Sequence, residues 1–463
     1  MDRAPGSPLK YSWLMALLAL ACHERVPLRP RALLESSRSQ RPEGVTYQRA
    51  GSGPALPLLL EEGLDADGAV AVALKYNPEL QSLRHEVAVA EGELLTASEP
   101  PNPKVVLGLR HLESVVDHGP RFALRWEPPQ PFEVSAKKSR AVASGEEAKE
   151  QIAEHALQLT LAVRTTHATL LSLEEEVTLL ARASSERKRL NEAIGQRLSQ
   201  GAATRFDVDV ALIAFLELDR ERHALEAERD ATRHQLVRLL GVNLGPGVVI
   251  RSQGGALAAP APTAPVPELA ELEDRALSAR PEVRAGAARY EQREQSVELA
   301  YLKRVPWFRI TAGPAITGNR YSTVSNVTAA IEVSFPLWNW NDGQIQVAEA
   351  RRAEEADKMA ATVASLRRDL ADTVTELGRA RSAVTDFQER VLPTLTEHER
   401  LLATAHEAGQ YDLLALILAE EAALRSRRDY LHARLRFQKA WLSLDRLVGE
   451  PLSLAPLSPG GKQ

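Results

Sequence analysis

Four short stretches of the chain alternate apolar and polar residues with a period of two. Val105, Leu107 and Leu109 alternate with Lys104, Gly108 and Arg110, and Phe122, Leu124 and Trp126 with Arg121, Arg125 and Glu127. Further on, Phe308, Ile310 and Ala312 alternate with Arg309 and Thr311, and Val327, Ala329, Ile331, Val333 and Phe335 with Thr328, Glu332 and Ser334. This period predicts strands with one apolar and one polar face. Each runs for roughly 9–11 residues, the length of a tilted strand that crosses a bilayer. Polar turn formers separate the members of each pair, at Asp117-His118-Gly119-Pro120 and Gly318-Asn319-Arg320-Tyr321-Ser322. Trp126, Trp307, Trp338 and Trp340 fall at strand ends, where interfacial aromatics sit.

Elsewhere the apolar positions follow alternating steps of three and four. Ile152, Ala156, Leu159, Val163, Leu170, Leu173, Val177 and Leu180 do so in one helix, predicted over 137–200. Val363, Leu366, Leu370, Leu377, Val384, Phe387 and Val391 do so in a second, over 343–408. That is the coiled-coil period, and a helix of about 65 residues reaches about 100 Å. Each long helix turns at a glycine and returns as a shorter helix, 204–240 or 412–448. Leading helices are predicted over 66–98 and 268–303. A leading and a returning helix stacked end to end would total about 70 residues, matching the long partner. The picture is a tube of paired helices standing below a membrane sheet. Four strands cannot close a barrel, and an open edge is not tolerated in lipid, so copies of the chain must share one. Two copies would give 8 strands and three would give 12.

The pattern occurs twice. Gln200-Gly201 and Leu239-Leu240-Gly241 match Ala408-Gly409 and Leu447-Val448-Gly449, and both glycine pairs are 208 residues apart. Asn77-Pro78-Glu79-Leu80 matches Arg280-Pro281-Glu282-Val283 at an offset of 203. A steady offset marks tandem duplication. The chain therefore divides into 1–22, a signal peptide; 23–60, an extended lead-in; 61–250, the first repeat; 251–267, an Ala/Pro linker; 268–450, the second repeat; and 451–463, a tail.

Composition narrows the reading. With 463 residues and net charge −5 there is no basic excess for nucleic acid, and abundant Ala, Leu, Glu and Arg with 5% aromatics suits long helices. No stretch after residue 30 is apolar for long enough to span a bilayer as a helix. One cysteine excludes a disulfide framework and any cysteine-based zinc site. That cysteine follows Arg3, Lys10 and the apolar run Tyr11–Ala21, which reads as a secretory signal. Cys22 directly after it resembles the acylation site of a bacterial lipoprotein; an ordinary signal peptide that ends at a cysteine is the other reading.

The helix reversals carry specific turn chemistry. Gly201 can take the left-handed conformation, and Thr204 can cap the next helix with Asp207 as its capping-box partner. Gly409 and Asp412 stand at the equivalent places in the second copy, where Ala415 replaces the acidic partner.

In order, Asn77-Pro78-Glu79-Leu80, Pro101-Asn102-Pro103, Arg280-Pro281-Glu282-Val283, Phe335-Pro336-Leu337-Trp338, Gly343 and Ala348, with the glycine turns, resemble the TolC-like outer membrane efflux family of Gram-negative bacteria. The resemblance implies a mainly α-helical homotrimer with a shared 12-stranded transmembrane β-barrel and a twelve-helix coiled-coil barrel in the periplasm. It implies a passive exit duct in the outer membrane lipid, needing no cofactor. A periplasmic adaptor protein would dock the helical tips, and an inner-membrane efflux pump would supply the energy. Carried over by position, the tips Leu198–Asp207 and His406–Ala415 would face the adaptor, through Gly201, Thr204, Asp207, Gly409, Gln410, Tyr411 and Asp412. Family members place carboxylates at the tunnel entrance where this chain has Ala415 and Leu418, so an apolar constriction is expected there instead. The Pro101-Asn102-Pro103 segment looks closest to members that serve metal-cation pumps.

Other candidates are weaker. His398 and His406 are eight residues apart, too far for one ion, so the histidines read as surface residues and no metal site is expected. Glu174-Glu175-Glu176 reads as a solvated helix face, or else as tunnel lining. No nucleophile elbow, P-loop, dinucleotide fingerprint or zinc-protease helix is present, so no enzyme is expected. The competing reading is a periplasmic coiled-coil lipoprotein that tethers envelope layers, and such a tether has no use for four strands of membrane length.

Overall fold

The computed structural model describes residues 64–109, 120–242, 262, 266–319, 322–407, 413–450 and 452. Its first copy runs α1 (Ala66–Tyr76), α2 (Pro78–Ser98), β1 (Lys104–Leu109), β2 (Pro120–Trp126), α3 (Pro131–Ser199) and α4 (Arg205–Leu240). The second runs α5 (Leu269–Ala279), α6 (Pro281–Leu302), β3 (Trp307–Asn319), β4 (Ser322–Ser334), α7 (Asp342–Asp386), a π-helical turn Phe387–Val391, α8 (Leu392–Glu407) and α9 (Leu413–Val448). Among the described residues no helix is long and apolar enough to cross a membrane.

Proline punctuates the helices. The single leading helices expected over 66–98 and 268–303 are each broken, at Asn77-Pro78 and Arg280-Pro281. Proline has no N–H and pushes the residue before it into extended backbone, so Asn77 sits at φ −60°, ψ 121° and Arg280 at φ −71°, ψ 123°. Each proline then opens a new helix at its first position, where the missing donor costs nothing. A third proline, Pro393, interrupts the long helix expected over 343–408. It leaves the carbonyl four residues back without a donor, and the π-helical turn just ahead absorbs the irregularity. The first long helix has no proline after its first residue, and α3 continues unbroken for 69 residues, roughly 100 Å.

Return helices do stack on leading ones, but only on their second halves. α4 ends at Gly241, whose positive φ of 68° closes the helix against the Asn77-Pro78 break. Asn77 ties the two ends. Its Oδ1 accepts from the N–H groups of Glu79 and Leu80 at 3.0 and 3.1 Å, and its Nδ2 donates to the Leu239 carbonyl at 3.0 Å. In the second copy Gly449, at φ 87°, closes in the same way against Arg280. The stacked pieces are 21 and 36 residues in one copy and 22 and 36 in the other. The total of about 70 expected from whole leading helices is therefore too long. The remainder of the first, α1, packs sideways on α3, where Asp67 meets the buried Arg164 at 3.1 Å and His167 meets the Leu64 carbonyl at 3.3 Å.

The strands form one antiparallel sheet in the order β1-β2-β3-β4, so the two hairpins are joined through β2 and β3. Register confirms the alternation. Val105 pairs with Leu124, Leu124 with Ala312 and Ala312 with Ala329, while Trp126 pairs with Ile310 and Ile310 with Ile331. All these apolar side chains share one face, and it is bare: Leu107 is 75% exposed, Val327 83% and Ile331 71%. On the other face Arg309 bridges Glu127 at 3.0 Å and Glu332 at 3.1 Å. β3 and β4 each have 13 residues, longer than expected; residues 110–119 between β1 and β2 lie outside the described ones.

Residues 58–463 form one unit, so the copies are packed together rather than strung as beads. The three-four stripes are the core. Leu366, Leu370, Leu377 and Val384 of α7 pack with Phe437, Trp441 and Leu444 of α9. Leu173, Val177 and Leu180 of α3 pack with Leu218 and Leu225 of α4.

Candidate functional site

At the first helix reversal the chain turns within five residues, 200–204, and the end of α3 and the start of α4 are both capped. Gly201, at φ 74°, follows the end of α3; its N–H bonds the Leu198 carbonyl at 2.9 Å and the Ala202 N–H bonds the Arg197 carbonyl at 2.8 Å. This is the Schellman pattern, which satisfies the last carbonyls of the helix. α4 then opens with a capping box. The Thr204 hydroxyl accepts from the Asp207 N–H at 3.2 Å, and the Asp207 carboxylate accepts from the Thr204 N–H at 2.7 Å. Those bonds from the Thr204 N–H and hydroxyl hold the Asp207 carboxyl below its usual range. Gly201, Thr204 and Asp207 are thus brought together at one exposed tip, as expected. A Cβ at Gly201 would meet open space, so only the left-handed backbone demands glycine there.

The second reversal, with Gly409, Gln410, Tyr411 and Asp412, lies outside the described residues, as does Cys22. Ala415 and Leu418 fall on the first turns of α9, three residues apart and both exposed, with Leu418 56% accessible. Between them in sequence, Ile417 is buried, and its carbonyl accepts from Nη2 of Arg187 on α3 at 3.1 Å. Arg187 is itself 5% exposed and also reaches Glu420 at 3.3 Å and Glu421 at 3.4 Å. One buried guanidinium therefore fixes the start of α9 against the long helix of the other copy.

The acidic run does not behave as a solvated face. Glu176 is 2% exposed; its carboxylate accepts from Nε of Arg428 at 2.7 Å and faces Nε2 of His432 at 3.2 Å. Arg428 continues to Glu221 on α4 at 2.6 Å, and Arg434 pairs with Glu175. Glu174 is half-buried, and burial pushes its carboxyl above the usual range. These residues form a ladder of charges that joins α3, α4 and α9. Removing one partner of such a pair leaves an uncompensated buried charge, which makes the ladder hard to open piecemeal.

Sequence reasoning missed this ladder, although a trace of it was visible. Leu180, Ser184 and Arg187 continue the three-four spacing with polar residues, and all three are buried. It also missed Asp445, which accepts from the Leu452 N–H at 3.1 Å and whose carboxyl burial pushes up to about 6. Among the described residues, no group of three or more His, Cys, Asp or Glu side chains is arranged to hold a metal ion.

Residues 272–450 match the family described as outer membrane efflux protein. The chain is 24% identical, over 406 residues, to the cobalt-zinc-cadmium resistance protein CzcC of Cupriavidus metallidurans, covering 86% of this chain and 92% of that one. Its fold is shared with a membrane protein from Pseudomonas aeruginosa, at a TM-score of 0.71 and 18% identity over 88% of this chain and 99% of that one. It is shared too with the outer-membrane channel OprN, at a TM-score of 0.67 and 15% identity over 90% and 95%.

Proposed function

We propose that this chain, whose residues 272–450 match the outer membrane efflux protein family, is the exit duct of a tripartite efflux system. In this reading it passively conducts substrate from an inner-membrane pump and a periplasmic adaptor across the outer membrane. The single observation that carries the reading is the four-stranded sheet, apolar on one bare face and ending in the edges β1 and β4. Such a sheet is stable in lipid only when its edges are paired, and β4 of one copy against β1 of the next closes 12 strands from three copies. The face of Arg309, Glu127 and Glu332 then lines the lumen. Each chain supplies four helical columns: α3, α2 on α4, α6 on α9, and α7 with α8. Three chains make a twelve-helix tunnel. A tether between envelope layers leaves the sheet without a role.

At the far end, the turns at Gly201, Thr204 and Asp207 and at Gly409, Gln410, Tyr411 and Asp412 dock the adaptor. Ala415 and Leu418 line an apolar constriction at the tunnel entrance. Cys22 carries the lipid that anchors the mature chain. The cargo is a divalent transition-metal cation, on the likeness to CzcC over most of both chains. The test is a strain lacking this chain, complemented with it, scored for cobalt, zinc and cadmium tolerance and for the oligomer in detergent. Restored tolerance with a trimer in the outer-membrane fraction is the expected result. A monomer by light scattering overturns the duct; a trimer with unchanged tolerance overturns the cargo. Lipid mass on the wild-type protein, absent from Cys22→Ala, tests the anchor.

A further inference from the structure

A cavity of about 400 Å³ lies where three helices meet the sheet. Its walls are the first turns of α3, the last turns of α6 and the first turns of α7. At the start of α3 the lining residues Gln130 (its N-cap), Glu133, Lys137 and Arg140 are spaced three or four apart, and at the end of α6 Gln292, Ser296, Leu299 and Lys303 (its C-cap) repeat that spacing. Each set therefore occupies one helix face. The roof is tied down. Gln130 Nε2 donates to the Val305 carbonyl at 3.5 Å, Arg304 Nε to the Trp340 carbonyl at 2.8 Å, and Asn341 Nδ2 to the Ala300 carbonyl at 2.7 Å. β3 begins at Trp307 and β4 ends at Ser334, so the cavity sits directly below the sheet.

The lining is strongly basic in a chain whose net charge is −5. Lys137, Arg140, Arg293, Lys303 and Arg351 face a single lining carboxylate, Glu133, which pairs with Lys137 at 2.7 Å. Arg293 reaches Glu355 only at 3.7 Å, and its Nε is buried without a hydrogen-bond partner. Gathering like charges around one small volume is unfavourable unless an anion shares it. Leu299, Ala300 and Val347 add an apolar wall. Close by, Trp338 is 92% exposed and Trp340 54%, side chains of the kind that settle at a bilayer surface.

We propose that this cavity binds a phosphate-bearing anion, supplied as the headgroup of an anionic membrane lipid. Guanidinium forks match phosphate oxygens in pairs, and basic pockets at the bilayer surface take phospholipid headgroups. The lipid source rests on the membrane reading of the sheet; the charge and geometry of the cavity do not.

The full-length protein, purified in neutral detergent, is titrated with phosphatidylglycerol, phosphatidylcholine and inorganic phosphate. Native mass spectrometry counts bound lipid and thermal unfolding reads stabilisation. Phosphatidylglycerol should bind roughly tenfold more tightly than phosphatidylcholine, and Arg140→Gln/Arg351→Gln should lose that preference while Arg140→Lys/Arg351→Lys keeps it. Equal phosphatidylglycerol binding by the wild type and the Gln variant overturns the site. A shift with inorganic phosphate alone, abolished in the Gln variant and unmatched by lipid, overturns the lipid source and leaves a free-anion site. Outer-membrane fractionation of the same proteins is a separate readout: failure of the wild type to insert counts against the duct, whatever the cavity binds.

Discussion

The two copies of the repeat close their helix junctions with the same parts, but the first copy fits more tightly. At Gly241 a Cβ would stand 2.6 Å from the Tyr76 carbonyl oxygen and 2.9 Å from Pro78 Cδ, closer than real contacts allow. At Gly449 the nearest atoms are the Arg280 Cα at 3.1 Å and N at 3.2 Å, tight but not impossible. Asn77 caps α2 and bonds across to Leu239, whereas Arg280 makes no side-chain cap and pairs with Glu282 instead. The long helix of the first copy is continuous and that of the second is broken before Pro393. Duplication thus kept the architecture of the junction and let its local chemistry drift. What persists is a proline break facing a left-handed glycine, because backbone geometry alone demands those two residues.

The largest effect expected from this difference is at the glycines. Gly241→Ala should cost more than about 3 kcal/mol or abolish folding, because the backbone clash adds to the left-handed strain of about 1–2 kcal/mol. Gly449→Ala should cost about 1–3 kcal/mol, since its contacts need only small shifts. Thermal unfolding of the detergent-solubilised protein and its level in outer membranes report both. Equal losses would break the comparison.

Next comes Asp445, whose counterpart 208 residues earlier is Val237. Its carboxyl, raised to about 6 in the fold, binds a proton more tightly there than in the unfolded chain. Its stabilising contribution is therefore full below the unfolded value near 3.8 and fades as pH rises through about 6. Asp445→Asn should raise stability at pH 7.5 by roughly 1–3 kcal/mol and flatten the profile between pH 4 and 6. Val237→Ala should leave that profile unchanged. A pH series of melting temperatures decides.

Asn77→Ala should cost about 1–2 kcal/mol through the lost cap and the lost bond to Leu239. Arg280→Asn should not cost the second copy its cap, because there is none to lose. The smallest stability change is expected at the tip. Gly201→Ala adds a Cβ into open space, so it costs only the left-handed strain, about 1 kcal/mol, and the trimer should survive. Cross-linking to the adaptor should nevertheless fall. Normal export and normal cross-linking in this variant would remove the docking role from the turn.

Much of this architecture was legible in the chain. Period-two alternation located the four strands and assigned their faces, because a sheet that is bare on one side leaves no freedom in register. The three-four stripes located the long helices, and Gly201, Thr204 and Asp207 announced the first tip through local rules of backbone geometry. The breaks at Pro78 and Pro281 were equally local and could have been read from the residue before each proline. The charge ladder was different in kind. Arg187 meets Glu420 across 233 residues and Arg428 meets Glu176 across 252, and nothing in a helical period names a partner that far away. The neighbouring of β2 and β3, which fuses the hairpins, was hidden for the same reason.

The junction at Asn77 also defines a unit of closure. Its partner carbonyl, Leu239, lies 162 residues further along the chain. Until the two meet, the Nδ2 of Asn77 lacks its native acceptor, and α2 has no helix end to rest on. The second junction, Arg280 with Gly449, spans 169 residues and lies wholly within its own copy. Each copy can therefore close its own column as soon as its return helix exists, without waiting for the other. The contacts that cross between copies, β2 on β3 and α3 on α9, instead need parts of both. Closure of each column is local to its copy; the wall is shared.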